Sequence, residues 1–374
     1  MIMADWSTLP SDLLIAIALK FDSINELIYF SAVCRSWNDV FTVFKRDSAT
    51  PWLLQADPSP KHDHKLDVCS RRSKIFEINK VKGLELNIPQ ANRRQCFGSE
   101  YGWIVMIGFD DNQVSLFNPI TKAQLTLPCL ASLPVLRNSS MRYEIMERGK
   151  LDIWEPIEFR ILKAIVLKID DNDFVVMLIY HHNLESSPYT SKNNSLALSR
   201  PVNRTWRWTK VITSGEKFPY VIDVVYWNGI VLILHVNGLI TCCETSAIVD
   251  FSPSSPVYAK PYHSIVFPTF KQGRVYKLDR SGNDKCWTVV EDLGDYMVFV
   301  GNNSAMSVHK SKSPNYQHDA IYFTDDIKFF WEDLKPRWQD IGMFDMKSRE
   351  FKRFSENNDK IRTTFRPLWF IPKF

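Results

Sequence analysis

Hydrophobic and polar positions follow two different rhythms along the 374-residue chain. Over residues 5 to 47 the apolar positions recur at helical spacing. Leu13, Leu14, Ile17, Ala18 and Phe21 line one face of a first helix. Ser11 or Thr8 can cap it, and its first turn tolerates Pro10 because no amide donor is needed there. Leu27, Ile28, Phe30, Ser31 and Val33, preceded by Ser23 or Asn25, mark a second helix. Trp37, Val40, Phe41 and Phe44 mark a third, which ends before a polar stretch. Three helices this short cannot hide all their apolar residues among themselves, so part of their surface is expected to serve a partner or the rest of the chain.

Beyond a polar stretch that includes Asp57-Pro58-Ser59-Pro60-Lys61-His62-Asp63-His64, the rhythm changes at about Ser73. Short apolar or alternating runs follow, among them Trp103 to Ile107, Phe174 to Tyr180, Val221 to Trp227 and Ile230 to His235. Asp-Asp-Asn, Asn-Gly and Ser-Gly-Asn turns separate them, as in antiparallel hairpins. No helical pattern of similar strength intervenes, which excludes crossover helices and leaves a sandwich, barrel or propeller. A degenerate repeat favours the propeller. Leu116-Phe117-Asn118-Pro119-Ile120-Thr121, Val275 to Ser281 and Met343-Phe344-Asp345-Met346-Lys347-Ser348 share one grammar, in which a strand ends in Asn or Asp, a polar turn follows and a strand restarts on a large apolar residue. Leu198-Ser199 and Ile240 to Glu244 read as weaker copies. The drifting spacing suits blades of ~40–50 residues, about six or seven of them.

Composition sharpens this picture. The chain has 12 Trp, 13 Tyr and 24 Phe, residue types that favour pleated, half-buried surfaces. A fold mainly β with a small α domain is expected. A hydrophobic share of 45% against 24% charged excludes a disordered or fibrous chain. A net charge of +4 is too small for a general attraction to nucleic acid or acidic lipid, so neither is expected as a partner. Seven scattered cysteines, an odd number, form no C-x-x-C pair and suit a reduced, intracellular protein. Asp5 and Trp6 stand where a signal peptide would carry basic residues, and no apolar run approaches the ~20 residues of a membrane span.

Two families are recognisable. Leu9-Pro10-Ser11-Asp12-Leu13-Leu14, Ile17, Leu27 and Ser31-Ala32-Val33-Cys34-Arg35-Ser36-Trp37 resemble the F-box, whose pattern opens L-P-x-D-L-L and closes V-C-[RK]-x-W. That resemblance implies a three-helix unit over residues 1–50 that docks on a Skp-type adaptor, itself bound to a cullin and a RING protein. Leu9, Pro10, Asp12, Leu13, Leu14, Ile17, Val33, Cys34, Arg35 and Trp37 are the implied adaptor-binding residues. Pro51-Trp52-Leu53-Leu54, Gly102-Trp103, Leu116 to Thr121, Val221 to Gly229, Leu293-Gly294-Asp295, Ile321 to Asp326 and Asp340 to Asp345 resemble the KIB-type β-propeller that follows the F-box in a large plant family. Residues 143–154 and 181–194 follow no motif of that family. The implied division is an F-box at 1–50, a linker or exposed loop at 51–72 and a propeller at 73–374. The implied function is a non-catalytic, cofactor-free substrate-recognition subunit of a Skp–cullin–F-box E3 ubiquitin ligase in the nucleus or cytoplasm. Two alternatives differ in class: a propeller enzyme acting on carbohydrate, and an F-box scaffold working outside a ligase.

Residue chemistry gives the enzyme little support. Asp110-Asp111, Asp170-Asp171 and Asp325-Asp326 could suggest paired glycosidase carboxylates, yet adjacent acids at hairpin tips are solvated turn residues. Asp171-Asn172-Asp173 lacks the Gly and Glu of a calcium loop, and His62, His64 and Cys69 have no fourth zinc ligand nearby. Cys242-Cys243 sit in an apolar strand with no His at a useful interval. The stretch 327–338, where Trp331, Arg337 and Trp338 combine aromatic and Arg side chains as binding hot spots do, is expected either to form the substrate surface or to pack its aromatics between blades. The apolar segment from Arg366 to Pro372 is expected to complete a blade with early propeller sequence, since an open ring would leave bare strand edges.

Overall fold

In a computed structural model the described residues are 5–21, 24–46, 51–56, 72–76, 84–91, 94–108, 111–133, 159–168, 174–182, 193–202, 205–213, 221–227, 230–235, 239–244, 257–263, 275–279, 286–301, 305–313, 316–324, 341–354 and 368–372. Three helices come first: α1 (Ser11–Ala18), α2 (Ile24–Ser31) and α3 (Arg35–Arg46). The expected cap of α1 by Ser11 or Thr8 does not form. Pro10 itself precedes the helix, and its carbonyl accepts the N–H groups of Leu13 and Leu14, each at 3.1 Å.

The remainder of the described chain is mainly β. The strands β1 (Trp52–Ala56), β2 (Arg72–Phe76) and β3 (Leu84–Asn87) pair antiparallel. An antiparallel meander follows in β4 (Arg94–Gly98), β5 (Ile104–Gly108), β6 (Val114–Phe117) and β7 (Gln124–Thr126). A second comprises β8 (Phe159–Lys168), β9 (Phe174–His182), β10 (Asn193–Val202) and β11 (Thr205–Thr213). The third comprises β12 (Val221–Trp227), β13 (Ile230–His235), β14 (Ile240–Glu244) and β15 (Val257–His263), and β15 runs parallel to β11 so that the two meanders form one eight-stranded sheet. A hairpin, β16 (Val275–Asp279) and β17 (Cys286–Val290), is followed by a five-stranded sheet. Its strands are β18 (Tyr296–Val300), β19 (Met306–His309), β20 (Ala320–Phe323), β21 (Gly342–Asp345) and β22 (Glu350–Arg353), in the order β19-β18-β20-β21-β22. The last strand, β23 (Leu368–Phe370), returns to pair with β1.

The β4–β7, β8–β11 and β12–β15 groups stack face on face in the manner of propeller blades, and side-chain alternation explains the order. In β9 both faces are buried. Val176, Leu178 and Tyr180 meet Phe97, Val105, Ile107 and Leu116 of the β4–β7 group, while Val175, Met177 and Ile179 meet Val224, Val231 and Ile233 of the β12–β15 group. A continuous apolar run results, as both-sided burial demands. Across the second interface Lys163 Nζ on β8 contacts Asp223 Oδ1 on β12 at 2.7 Å.

The ring closes with the two ends of the propeller sequence, as expected of the segment from Arg366 to Pro372. Trp52 pairs with Phe370, Leu53 with Trp369 and Leu54 with Leu368. Trp52, Leu54, Leu368 and Phe370 pack with Ile88, Ile104, Met106 and Phe117 on one side; Leu53 and Trp369 pack with Met297, Phe299, Tyr316 and Tyr322 on the other. The stretch 51–72, expected as linker or exposed loop, therefore begins with a buried strand. Its apolar start Trp52-Leu53-Leu54 fills both faces of the closing sheet, whereas residues 57–71 lie outside those described.

The repeat grammar has a definite geometry at two sites. Asn118 Oδ1 accepts the N–H of Ile120 at 2.9 Å and of Thr121 at 3.0 Å, and the Asn118 carbonyl accepts the N–H of Lys122, whose φ is +62°. Asp345 Oδ1 likewise accepts from Lys347 at 3.0 Å and Ser348 at 3.2 Å, and its carbonyl accepts from Arg349, whose φ is +60°. A short Asx side chain can satisfy the turn's donors in this way while the chain passes through a left-handed residue. Ser199 is not a copy. It lies within β10 opposite Trp208, because β10 and β11 continue as a regular hairpin past it to the pair Val202 and Thr205. The segment 181–194, which matched no motif, supplies paired strand ends, with His182 opposite Asn193 and His181 opposite Asn194.

Candidate functional site

The N-terminal unit is built around Leu14, Ala18, Phe30 and Val40, with Leu9, Ile15, Ile17, Phe21, Leu27 and Trp37 packed against them. Phe30 holds the centre: its ring meets Phe21 edge-on at 5.7 Å and Trp37 at 4.6 Å. Trp37 also donates its indole N–H to the Trp6 carbonyl at 3.0 Å, tying the start of α3 to the turn before α1. In that turn Asp5 Oδ1 accepts the Ser7 N–H at 3.0 Å. The opening and closing halves of the sequence motif thus belong to one unit, in which α1 and α2 both pack on α3.

The implied adaptor-binding residues divide by exposure. Pro10, Asp12, Leu13, Val33 and Arg35 are exposed, and Leu9, Ile17, Cys34 and Trp37 are half-buried. Leu14 is 1% exposed and belongs to the core, because the helical turn that points Leu13 outward points its neighbour inward. Leu13 is 49% exposed, Val33 56% and Tyr29 72%; Trp6 and Leu19 are exposed as well. Water-facing apolar side chains are thus concentrated on a folded unit of about forty residues, the kind of surface that marks a protein interface. Sequence reasoning missed Trp6, Leu19 and Tyr29. Tyr29 could have been found from α2 alone: with Leu27 and Phe30 turned to the core, the residue between them and past Ile28 must point away.

The propeller's candidate chemistry resolves towards structure. Asp111 is a turn residue, accepting the Gln113 N–H at 2.9 Å through Oδ1 and pairing with Arg94 Nη2 at 2.8 Å through Oδ2. Cys243 is buried in β14, and burial, with the neighbouring Cys242 thiol, pushes its thiol up to about 12, far from the thiolate a nucleophile needs. The described residues hold no cluster of three or more His, Cys, Asp or Glu suited to a metal, and no described helix is long and apolar enough to cross a membrane. Asp110, Asp170-Asp171, Asp325-Asp326, His62, His64, Cys69 and the segment with Trp331, Arg337 and Trp338 lie outside the described residues. Two polar contacts escaped sequence reasoning: the half-buried Lys163–Asp223 pair, and His235, fully buried with Nε2 3.0 Å from Thr241 Oγ1. The first joins residues 60 positions apart, so no local pattern announces it.

Comparison with known proteins agrees with this geometry. The F-box domain model matches residues 6–48, and the KIB1-4 beta-propeller model matches 75–272 and 263–345. The F-box protein SKIP23 of Arabidopsis thaliana is 24% identical over 400 residues, covering 92% of this chain and 90% of the relative. The F-box protein At2g17036 of the same plant is 25% identical over 350 residues, covering 82% of this chain and 79% of the relative. With its ring of stacked strand groups and a three-helix unit ahead of them, the chain belongs to the KIB1-4 beta-propeller family and carries an F-box domain at its N-terminal end.

Proposed function

We propose that this protein is the substrate-recognition subunit of a Skp–cullin–F-box E3 ubiquitin ligase, its F-box bound to a Skp-type adaptor and its propeller to the protein to be ubiquitinated. The observation that carries the proposal is the exposed apolar set on the F-box, Leu13, Leu19, Tyr29 and Val33, on a unit that has its own buried core of Leu14, Ala18, Phe30 and Val40. Burying a Leu or Val side chain fully is worth ~1.5–3 kcal/mol, so a few such residues suffice for a stable contact. The subunit is non-catalytic. Its contribution to ubiquitin transfer is positional, raising the effective concentration of a substrate lysine near the conjugating enzyme that a cullin and RING protein bring. It works inside the cell, in the nucleus or cytoplasm. Substrate contact we assign to Trp331, Arg337 and Trp338 on the strength of their hot-spot composition.

Affinity purification from cells with the proteasome blocked, followed by mass spectrometry, tests the proposal. The intact chain is expected to bring down a Skp-type adaptor, a cullin and a RING protein together with a protein that accumulates under the block. A variant with Leu9→Ala and Pro10→Ala is expected to lose the ligase components while the propeller stays folded; undiminished recovery would reject the assignment. Single Ala variants at 331, 337 and 338 are expected to lose capture of the accumulating protein without a change in melting temperature, whereas a collapsed melt would mark the residue as packing.

A further inference from the structure

The F-box is attached to the propeller at two separate places. Within α2, Phe30 faces the F-box core and Tyr29 faces water, while Ile28 packs into the cluster of Trp52, Leu54, Ile88, Leu368 and Phe370 that builds the ring-closing sheet. α2 accordingly lies against β3 of that sheet. The second attachment is the chain itself. Residues 47–51 are all that separate α3 from β1, a span of at most ~18 Å even when fully extended. Its last residue is fixed, for Pro51 is buried and its carbonyl accepts the Tyr316 hydroxyl, from the loop before β20, at 2.9 Å. A covalent tether alone leaves a domain free to swivel, whereas a short tether with an anchored end and a packed contact elsewhere fixes direction as well as distance.

We propose that Ile28 is a positioning residue that locks the F-box onto the ring-closing sheet, so that a partner docked on the F-box is held at one orientation relative to the propeller. The use of this lock rests on the ligase reading above: a fixed orientation concentrates a bound substrate at one place relative to the conjugating enzyme, and a swivelling F-box would dilute it over many. Ile28 itself faces the propeller, so adaptor affinity does not depend on it.

The test uses the full chain carrying spin labels at Asp39 of α3 and Lys347 of the β21–β22 turn, both exposed, introduced as non-canonical amino acids so that native cysteines do not interfere. Pulsed electron resonance then reads the distance distribution between the two units. The wild-type chain and Ile28→Leu are expected to give one narrow distribution and Ile28→Asp a broad one, with adaptor affinity equal within about twofold for all three. At equal adaptor occupancy Ile28→Asp is expected to slow ubiquitin transfer severalfold. A broad distribution in the wild-type chain, or a narrow one in Ile28→Asp, overturns the proposal. If Ile28→Asp unfolds α2 and so loses adaptor binding, Ile28→Ala takes its place, with an intermediate width expected and an unchanged width overturning. Failure of the wild-type chain to bind a Skp-type adaptor would remove the ligase reading while leaving the distance result to decide the lock.

Discussion

At the scale of single residues, two positions carry more than their size suggests. A Cβ at Gly98 would stand 2.0 Å from the Trp369 carbonyl oxygen, where β23 passes beside the end of β4. The obstacle is backbone, which cannot rotate away. Gly98→Ala is expected to cost ~1–3 kcal/mol, read as a lower urea midpoint with an unchanged slope. The second position is Asp345. The Gln317 amide, the backbone N–H groups of Ser348 and Lys347, and the Lys352 ammonium hold its carboxyl well below the usual carboxylate range. A carboxyl depressed in the folded state adds stability at pH values above its unfolded value of ~3.9 and loses that contribution as the pH falls through the folded value. Asp345→Asn is expected to be less stable than wild type by ~1–3 kcal/mol at pH 7. The gap should narrow in urea melts taken below about pH 4. A gap independent of pH would show that the charge contributes nothing.

At the scale of elements, neighbouring residues in one helix have opposite duties. Leu14→Ala opens a cavity in the F-box core and is expected to cost ~2–5 kcal/mol of stability, whereas the exposed Leu13 can be changed to Asp with little effect on the melt. Equal losses from the two variants would contradict the division between core and surface. Much of this was legible in the sequence. The motif residues and the 3.6-residue rhythm locate the three helices, and alternation locates the strands, because both signals are local. The turn anchors Asn118 and Asp345 were legible for the same reason: the residue that ends each strand also bonds its turn. Ser199 misled because a small polar residue after a Leu can equally lie inside a strand buried on both faces, as β10 is. The parallel pairing of β11 with β15 and the buried strand at the head of the expected linker were not legible, since each depends on a partner far along the chain.

At the scale of the whole molecule, the closing sheet has three duties: it joins the ends of the propeller sequence, separates the β4–β7 and β18–β22 groups, and receives α2 through Ile28. Truncation after residue 367 removes β23, strips cover from Trp52, Leu53 and Leu54 and bares the edge of β1. The truncated chain is expected to melt earlier and scatter light at a lower temperature; an unchanged melt would mean the ring does not depend on closure here. Adaptor docking on the exposed apolar residues of the F-box is the claim on which the functional reading depends. Calorimetric titration of a purified Skp-type adaptor into the intact chain, and into a variant with Leu13→Asp and Val33→Asp, tests it most directly. One-to-one binding by the intact chain and at least a tenfold weakening in the variant, a loss of ~1.4 kcal/mol or more at an unchanged melting temperature, is the expected result. Equal affinity for both chains, or no binding by the intact one, would contradict it.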